Sequence, residues 1–67
     1  MDFETAYDEV FDDYGNVKTC GRTKTRLLIS ACKKEDPNMD YGDMRTGFMN
    51  IGNIKKLYNR VKSKTVK

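Results

Sequence analysis

The chain has 67 residues, 37% hydrophobic and 34% charged, with 13 basic against 10 acidic side chains, a net charge of +3 and no histidine. That length allows one small domain burying about 60% of its unfolded-state surface and excludes a second core, while the clustered apolar residues and small net charge argue against a disordered chain. No apolar run approaches the roughly 18 residues of a membrane span. The acidic start Met1-Asp2-Phe3-Glu4 has the wrong sign for a secretory leader, so a cytoplasmic protein without a membrane role is the expectation.

Charge falls in four blocks. Residues 2–13 hold six acids and no base, 18–34 six bases and no acid, 35–43 four acids, and 45–67 seven bases. Each block coincides with a structural segment. In the first, Phe3, Tyr7, Val10, Phe11 and Tyr14 recur on one face of a helix, with Asp2 as its N-cap and Gly15 as a left-handed stop. Asp12 and Asp13 oppose the helix dipole, so this end is expected to be weak.

The second helix is expected over Thr23 to Glu35, with a start as early as Thr19 also compatible with the sequence. Leu27, Leu28, Ile29, Ala31 and Cys32 spread over about 200° of its circumference, as in a central helix touched from two sides. Asp36-Pro37 ends it, because the residue before proline disfavours the helical region. Cys20 and Cys32 would lie about 18 Å apart on a shared helix, or Cys20 precedes it; a disulfide needs Cα atoms within about 7 Å. Both are expected to be reduced thiols. Without histidine, two cysteines do not complete a four-ligand zinc site.

The connector that follows begins like a calcium loop, with Asp36, Asn38, Asp40 and then Gly42. Counted from Asp36, however, the sixth position is Tyr41 and the twelfth is Gly47, where an EF-hand needs glycine and a bidentate glutamate. Pro37 is a further misfit, and no metal or cofactor is expected. The alternative reading makes Asp36 an N-cap, Pro37 the first helical residue, Asn38–Tyr41 one helical turn and Gly42 its stop. Asp40-Tyr41-Gly42-Asp43 echoes Asp13-Tyr14-Gly15-Asn16, each with a tyrosine expected to fold inward. The remaining Met39, Tyr41, Met44, Phe48 and Met49 either cover the open end of the core or form an adaptable apolar surface for a partner.

The third helix is expected from Ile51 to Lys62 or slightly beyond, with an apolar stripe of Ile51, Ile54, Leu57, Tyr58 and Val61. Asn50 as N-cap allows a Met49–Ile54 staple, and Asn53 is the competing cap. The expected architecture is therefore all-α: a compact three-helix bundle with a long, partly helical connector between the second and third helices. Residues 1–63 would form the single helical domain and 64–67 a basic, flexible C-terminal tail.

Nothing in the chain suggests an enzyme. There is no histidine and no glycine-rich phosphate loop, and neither cysteine has an evident base beside it. Two binding classes remain. Lys55, Lys56, Asn59, Arg60 and Lys62, with Lys64 and Lys67 behind them, have the composition of a phosphate-contacting helix, so nucleic-acid binding is one reading. Against it, the link between the last two helices is longer than that of a helix-turn-helix, and the acids must point away from a duplex. A protein partner is the favoured reading, met either by the acidic face Glu4, Asp8, Glu9 and Asp12 or by the apolar group Tyr41, Met44, Phe48 and Met49.

The segments Tyr41-Gly42-Asp43, Thr46-Gly47-Phe48-Met49-Asn50-Ile51 and Ile54-Lys55-Lys56-Leu57-Tyr58 resemble ones in short uncharacterised proteins of phages and prophages of Gram-positive bacteria. The resemblance covers less than half of the chain and carries no catalytic motif. It implies an accessory role in the takeover or regulation of host machinery.

Overall fold

The computed structural model describes residues 2–18 and 21–65, the last two of these by backbone alone. Cys20, Val66 and Lys67, and the side chain of Lys64, lie outside the described residues. The elements in chain order are α1 (Phe3–Val10), α2 (Arg22–Glu35), β1 (Gly42–Asp43), β2 (Phe48–Met49) and α3 (Ile51–Thr65). No helix among the described residues is long and apolar enough to cross a membrane.

α1 is capped as its sequence indicates: Asp2 Oδ1 accepts from the backbone N–H of Thr5 at 2.8 Å. It stops at Val10, one turn before the expected end at Tyr14. Phe11 turns extended and forms an antiparallel bridge with Val17. Asp12 then folds the chain back, its Oδ1 accepting from the N–H groups of Tyr14 and Asn16 at 2.9 Å each. Asp12, one of the two acids that would have opposed the helix dipole, thus serves a turn instead. The consequence for Tyr14 is large. Expected to fold inward, it is 89% exposed.

α2 begins at Arg22 behind an N-cap glycine, Gly21, that offers no side-chain hydrogen bond. Asn50 caps α3, its Oδ1 accepting from Asn53 N–H at 3.3 Å. The competing residue is used elsewhere, since Asn53 Nδ2 donates to the carbonyl of Asp40 at 2.8 Å. α3 continues past Lys62 through Lys64 and Thr65, two of the residues assigned to the tail.

The connector overturns the all-α expectation. The three helices are joined by a small antiparallel sheet, in which Gly42 faces Met49 and Asp43 faces Phe48. Neither end of the expected helical turn forms. Asp36 Oδ1 accepts from Asn38 N–H at 3.0 Å, and Asp40 Oδ1 from Gly42 N–H at 3.0 Å, so each carboxylate holds a local turn about its own backbone. Gly42 is a strand residue at φ +121°, and a Cβ there would lie 2.1 Å from the carbonyl oxygen of Phe48. Only glycine lets the two strands meet at this point. The hairpin is tied down on both sides: Asn50 N–H donates to the Tyr41 carbonyl at 3.0 Å, and Arg26 Nη2 donates to the Arg45 carbonyl at 2.9 Å.

The core joins Phe3, Ala6, Tyr7, Val10 and Phe11 of the N-terminal segment to Leu28, Ile29, Ala31 and Cys32 of α2, with Tyr41, Ile54 and Leu57 closing it. α3 is held to α1 through aromatic rings. Tyr58 stacks on Tyr7 at 3.8 Å and meets the edge of Phe3 at 6.2 Å, while Tyr7 also stacks on Phe11 at 4.5 Å. Such pairs add about 0.5–1.5 kcal/mol each beyond the area they bury.

Candidate interaction surfaces

The Met/Phe connector divides into two parts. Tyr41 is fully buried, and Met39, Met44 and Met49 are half-buried against the core. Phe48 is 76% exposed. Strand alternation explains the split, because Gly42 and Met49 share one face of the ladder and Asp43 and Phe48 the other. Phe48 and the part-exposed Ile51 line a shallow hollow with Asp40, Asp43 and Asn50. Of the four apolar residues assigned to a partner surface, Phe48 alone stands well clear of the core.

Tyr41 has a second peculiarity. Its hydroxyl is buried and makes no hydrogen bond among the described residues. Burial pushes its pKa up, helped by the charge of Asp36 and opposed by Arg60. A hydroxyl taken out of water without a partner costs stability. Tyr41→Phe is therefore expected to raise the stability by about 1 kcal/mol, read from a urea midpoint. A loss of similar size would show that the hydroxyl has a partner in solution.

The basic face of α3 is not the continuous stripe that spacing suggests. Arg60 Nη1 pairs with Asp36 Oδ2 at 2.7 Å, Lys55 Nζ lies 5.9 Å from the centroid of Phe11, and Lys62 Nζ lies 5.6 Å from that of Tyr58. Lys56 and Asn59 are exposed. These contacts are individually weak at a surface, yet they fold the cations back onto the protein.

Two acids of the N-terminal segment are likewise answered from within. Glu9 pairs with Lys24 of α2 at 3.8 Å, and Asp12 is engaged in its turn. Asp8, Asp12 and Asp13 line a hollow with Tyr7, Tyr14, Tyr58 and Asn59, which Lys55 of α3 also lines. Glu4 is half-buried and Asp8 exposed. The acidic and basic blocks therefore meet at Glu9 with Lys24 and around the hollow that Lys55 lines, and the acids of α1 do not join the hairpin hollow.

Among the described residues no group of three or more carboxylate or thiol side chains converges on a metal position. Asp36 and Asp40, the first acids of the calcium-like run, are spent on backbone N–H groups and on Arg60. Cys32 is fully buried, and burial pushes its thiol up to about 12. Such a thiol stays protonated at neutral pH and is a poor nucleophile.

One group escaped the sequence reading. Arg22 and Arg26 lie where the first turns of α2 meet the hairpin turn that carries Arg45. The spacing of Arg22 and Arg26 on one helix face was legible; the arrival of Arg45 beside them depends on the hairpin. Compared with protein families, with curated proteins and with solved structures, the chain matches none.

Proposed function

We propose that the protein is a small non-catalytic interaction module that docks on another protein through the outward face of its hairpin, with Phe48 as the anchor. The exposure of Phe48 carries this reading: the residue is 76% exposed on a strand whose next residue packs inward against the core. Burying such a ring on a partner contributes about 1.5–3 kcal/mol. The hairpin is held before docking, so little ordering has to accompany it. Ile51 extends the apolar area, and Asp40 and Asp43 give it an acidic border, so the matching surface is an apolar pocket with a basic rim. The resemblance to phage accessory proteins supports a cytoplasmic role on a host protein. Nucleic-acid contact through α3 is the weaker reading, since Arg60 and Lys55 are already engaged.

The test compares affinity capture from host extract by the wild-type chain, by Phe48→Ala and by the charge-reversed pair Asp8→Lys with Asp12→Lys. Phe48→Ala is expected to melt within about 0.5 kcal/mol of wild type and yet lose a specific partner by about tenfold or more. The reversed pair should retain that partner. Identical capture by wild type and Phe48→Ala would remove the hairpin from the interface.

A further inference from the structure

Arg22 and Arg26 of α2 lie beside the hairpin turn that carries Arg45, so three of the four arginines belong to one corner of the molecule. Arg22 and Arg26 lie one turn apart on α2, about 6 Å along its axis. Arg26 reaches the hairpin turn, donating from Nη2 to the carbonyl of Arg45 at 2.9 Å. Arg22 lies over the same turn, since a Cβ added at Gly47 would stand 3.5 Å from its Cγ. All three are exposed. The ion pairs among the described residues are Lys24–Glu9 and Arg60–Asp36, so none of these three guanidinium groups has a carboxylate partner there. Asp43, two residues from Arg45, has its Oδ1 turned onto the backbone N–H of Arg45 at 2.8 Å.

This corner is electrostatically uphill. The first turn of α2 holds no acid, and Arg22 stands at the positive end of the helix dipole. α1 shows the ordinary arrangement, with Asp2 as cap and Glu4 in the first turn. Among the described residues these three like charges have no ion-pair partner, and Asp43 is the one carboxylate placed beside them, so their mutual repulsion and that of the helix end on Arg22 are relieved when an anion arrives. The planar guanidinium fork matches a phosphate through paired N–H donors.

The corner also lacks what a protein interface needs at its centre. Thr46 and Gly47 separate the arginines from β2, whereas the exposed Leu27 of α2 faces a groove with Ala6 and Glu9 of α1. A contact here is electrostatic and has no apolar anchor, as in binding to a phosphodiester chain. We infer that Arg22, Arg26 and Arg45 form a contact site for the phosphate backbone of a nucleic acid, at the junction of α2 and the hairpin and apart from α3. The site is independent of the Phe48 surface and stands or falls separately from it.

Fluorescence anisotropy tests it with a labelled single strand of about 20 nucleotides, a duplex of about the same length and a poly-glutamate peptide of similar charge. Three phosphate contacts predict single-strand binding that weakens about twentyfold between about 50 and about 200 mM salt. Arg22→Gln with Arg45→Gln should weaken it by about tenfold or more and flatten the salt dependence, with the helical circular dichroism unchanged. Lys56→Gln with Lys62→Gln should leave it within about twofold. Should the arginine pair lose its helical signal, Arg45→Glu alone, in an exposed turn, is expected to give the same loss. Absence of oligonucleotide binding at low salt overturns the proposal. Equal binding of poly-glutamate makes the corner a site for an acidic protein instead, and a loss confined to the lysine pair moves the contact to α3.

Discussion

Replacing Gly42 by alanine is expected to destabilise the domain by roughly 3–5 kcal/mol, about as much as a domain of this size has to lose. The added methyl would stand 2.1 Å from the Phe48 carbonyl oxygen, 2.9 Å from Met49 Cα and 3.1 Å from Asn50 N, all of them backbone atoms. None can swing aside as a side chain would, and φ +121° is itself closed to alanine. The strands must separate, which pulls Tyr41 and Met49 off the core. A melt followed by circular dichroism should show a largely unfolded chain or a much lower midpoint. Gly47→Ala is the control. At φ +79° its methyl would meet the hydroxyl of Thr25 at 3.2 Å, and the expected cost is only about 1–2 kcal/mol. Equal melting of the two variants would disprove the register Gly42 to Met49.

Leu28→Ala is expected to cost about 2–5 kcal/mol, and Leu27→Ala under about 1 kcal/mol. Leu28 is completely buried in the core cluster, whereas Leu27 is 43% exposed at the edge of the groove against α1. Truncating Leu28 removes contacts on every side and leaves a cavity; truncating Leu27 shortens a side chain that water already reaches. Urea titrations of both variants read the difference directly as a shift in midpoint at constant slope. Similar midpoints would mean that α2 is rotated about its axis from the position described.

The adjacent leucines mark the limit of a periodicity argument. A 200° apolar arc identifies α2 as a central helix, but its rim cannot be assigned without the neighbours that cover it. Ile51 and Ile54 repeat the lesson on α3, where one stripe contains a residue 40% exposed and another fully buried. In the same way Tyr14 and Tyr41 sit in matching tetrapeptides with opposite fates. Tyr41 is drawn in because the hairpin folds back over it, while Tyr14 lies at the tip of a turn that Phe11 and Val17 hold open.

The hairpin was the largest departure from expectation. Its strands are two residues each, too short for an alternating pattern to register, and Gly42 serves equally well in sequence as a helix stop or as a close-approach residue. Once the ladder forms, it turns Phe48 outward and Met49 inward and sets Arg45 beside α2. Both proposed contact surfaces follow from that one step.

Local rules were enough to place the three helices and to cap α1 with Asp2 and α3 within the pair Asn50 and Asn53, because each depends on residues within a turn or two of one another. The tertiary structure alone decided which leucine is core and which charges are answered. It also decided that the connector pairs as strands. The packing and the charge pairing depend on groups distant in sequence: Asp36 on Arg60, Lys24 on Glu9, Arg26 on Arg45 and Tyr58 on Tyr7. The energy of such contacts exists only after the helices have packed, so no window along the chain contains it.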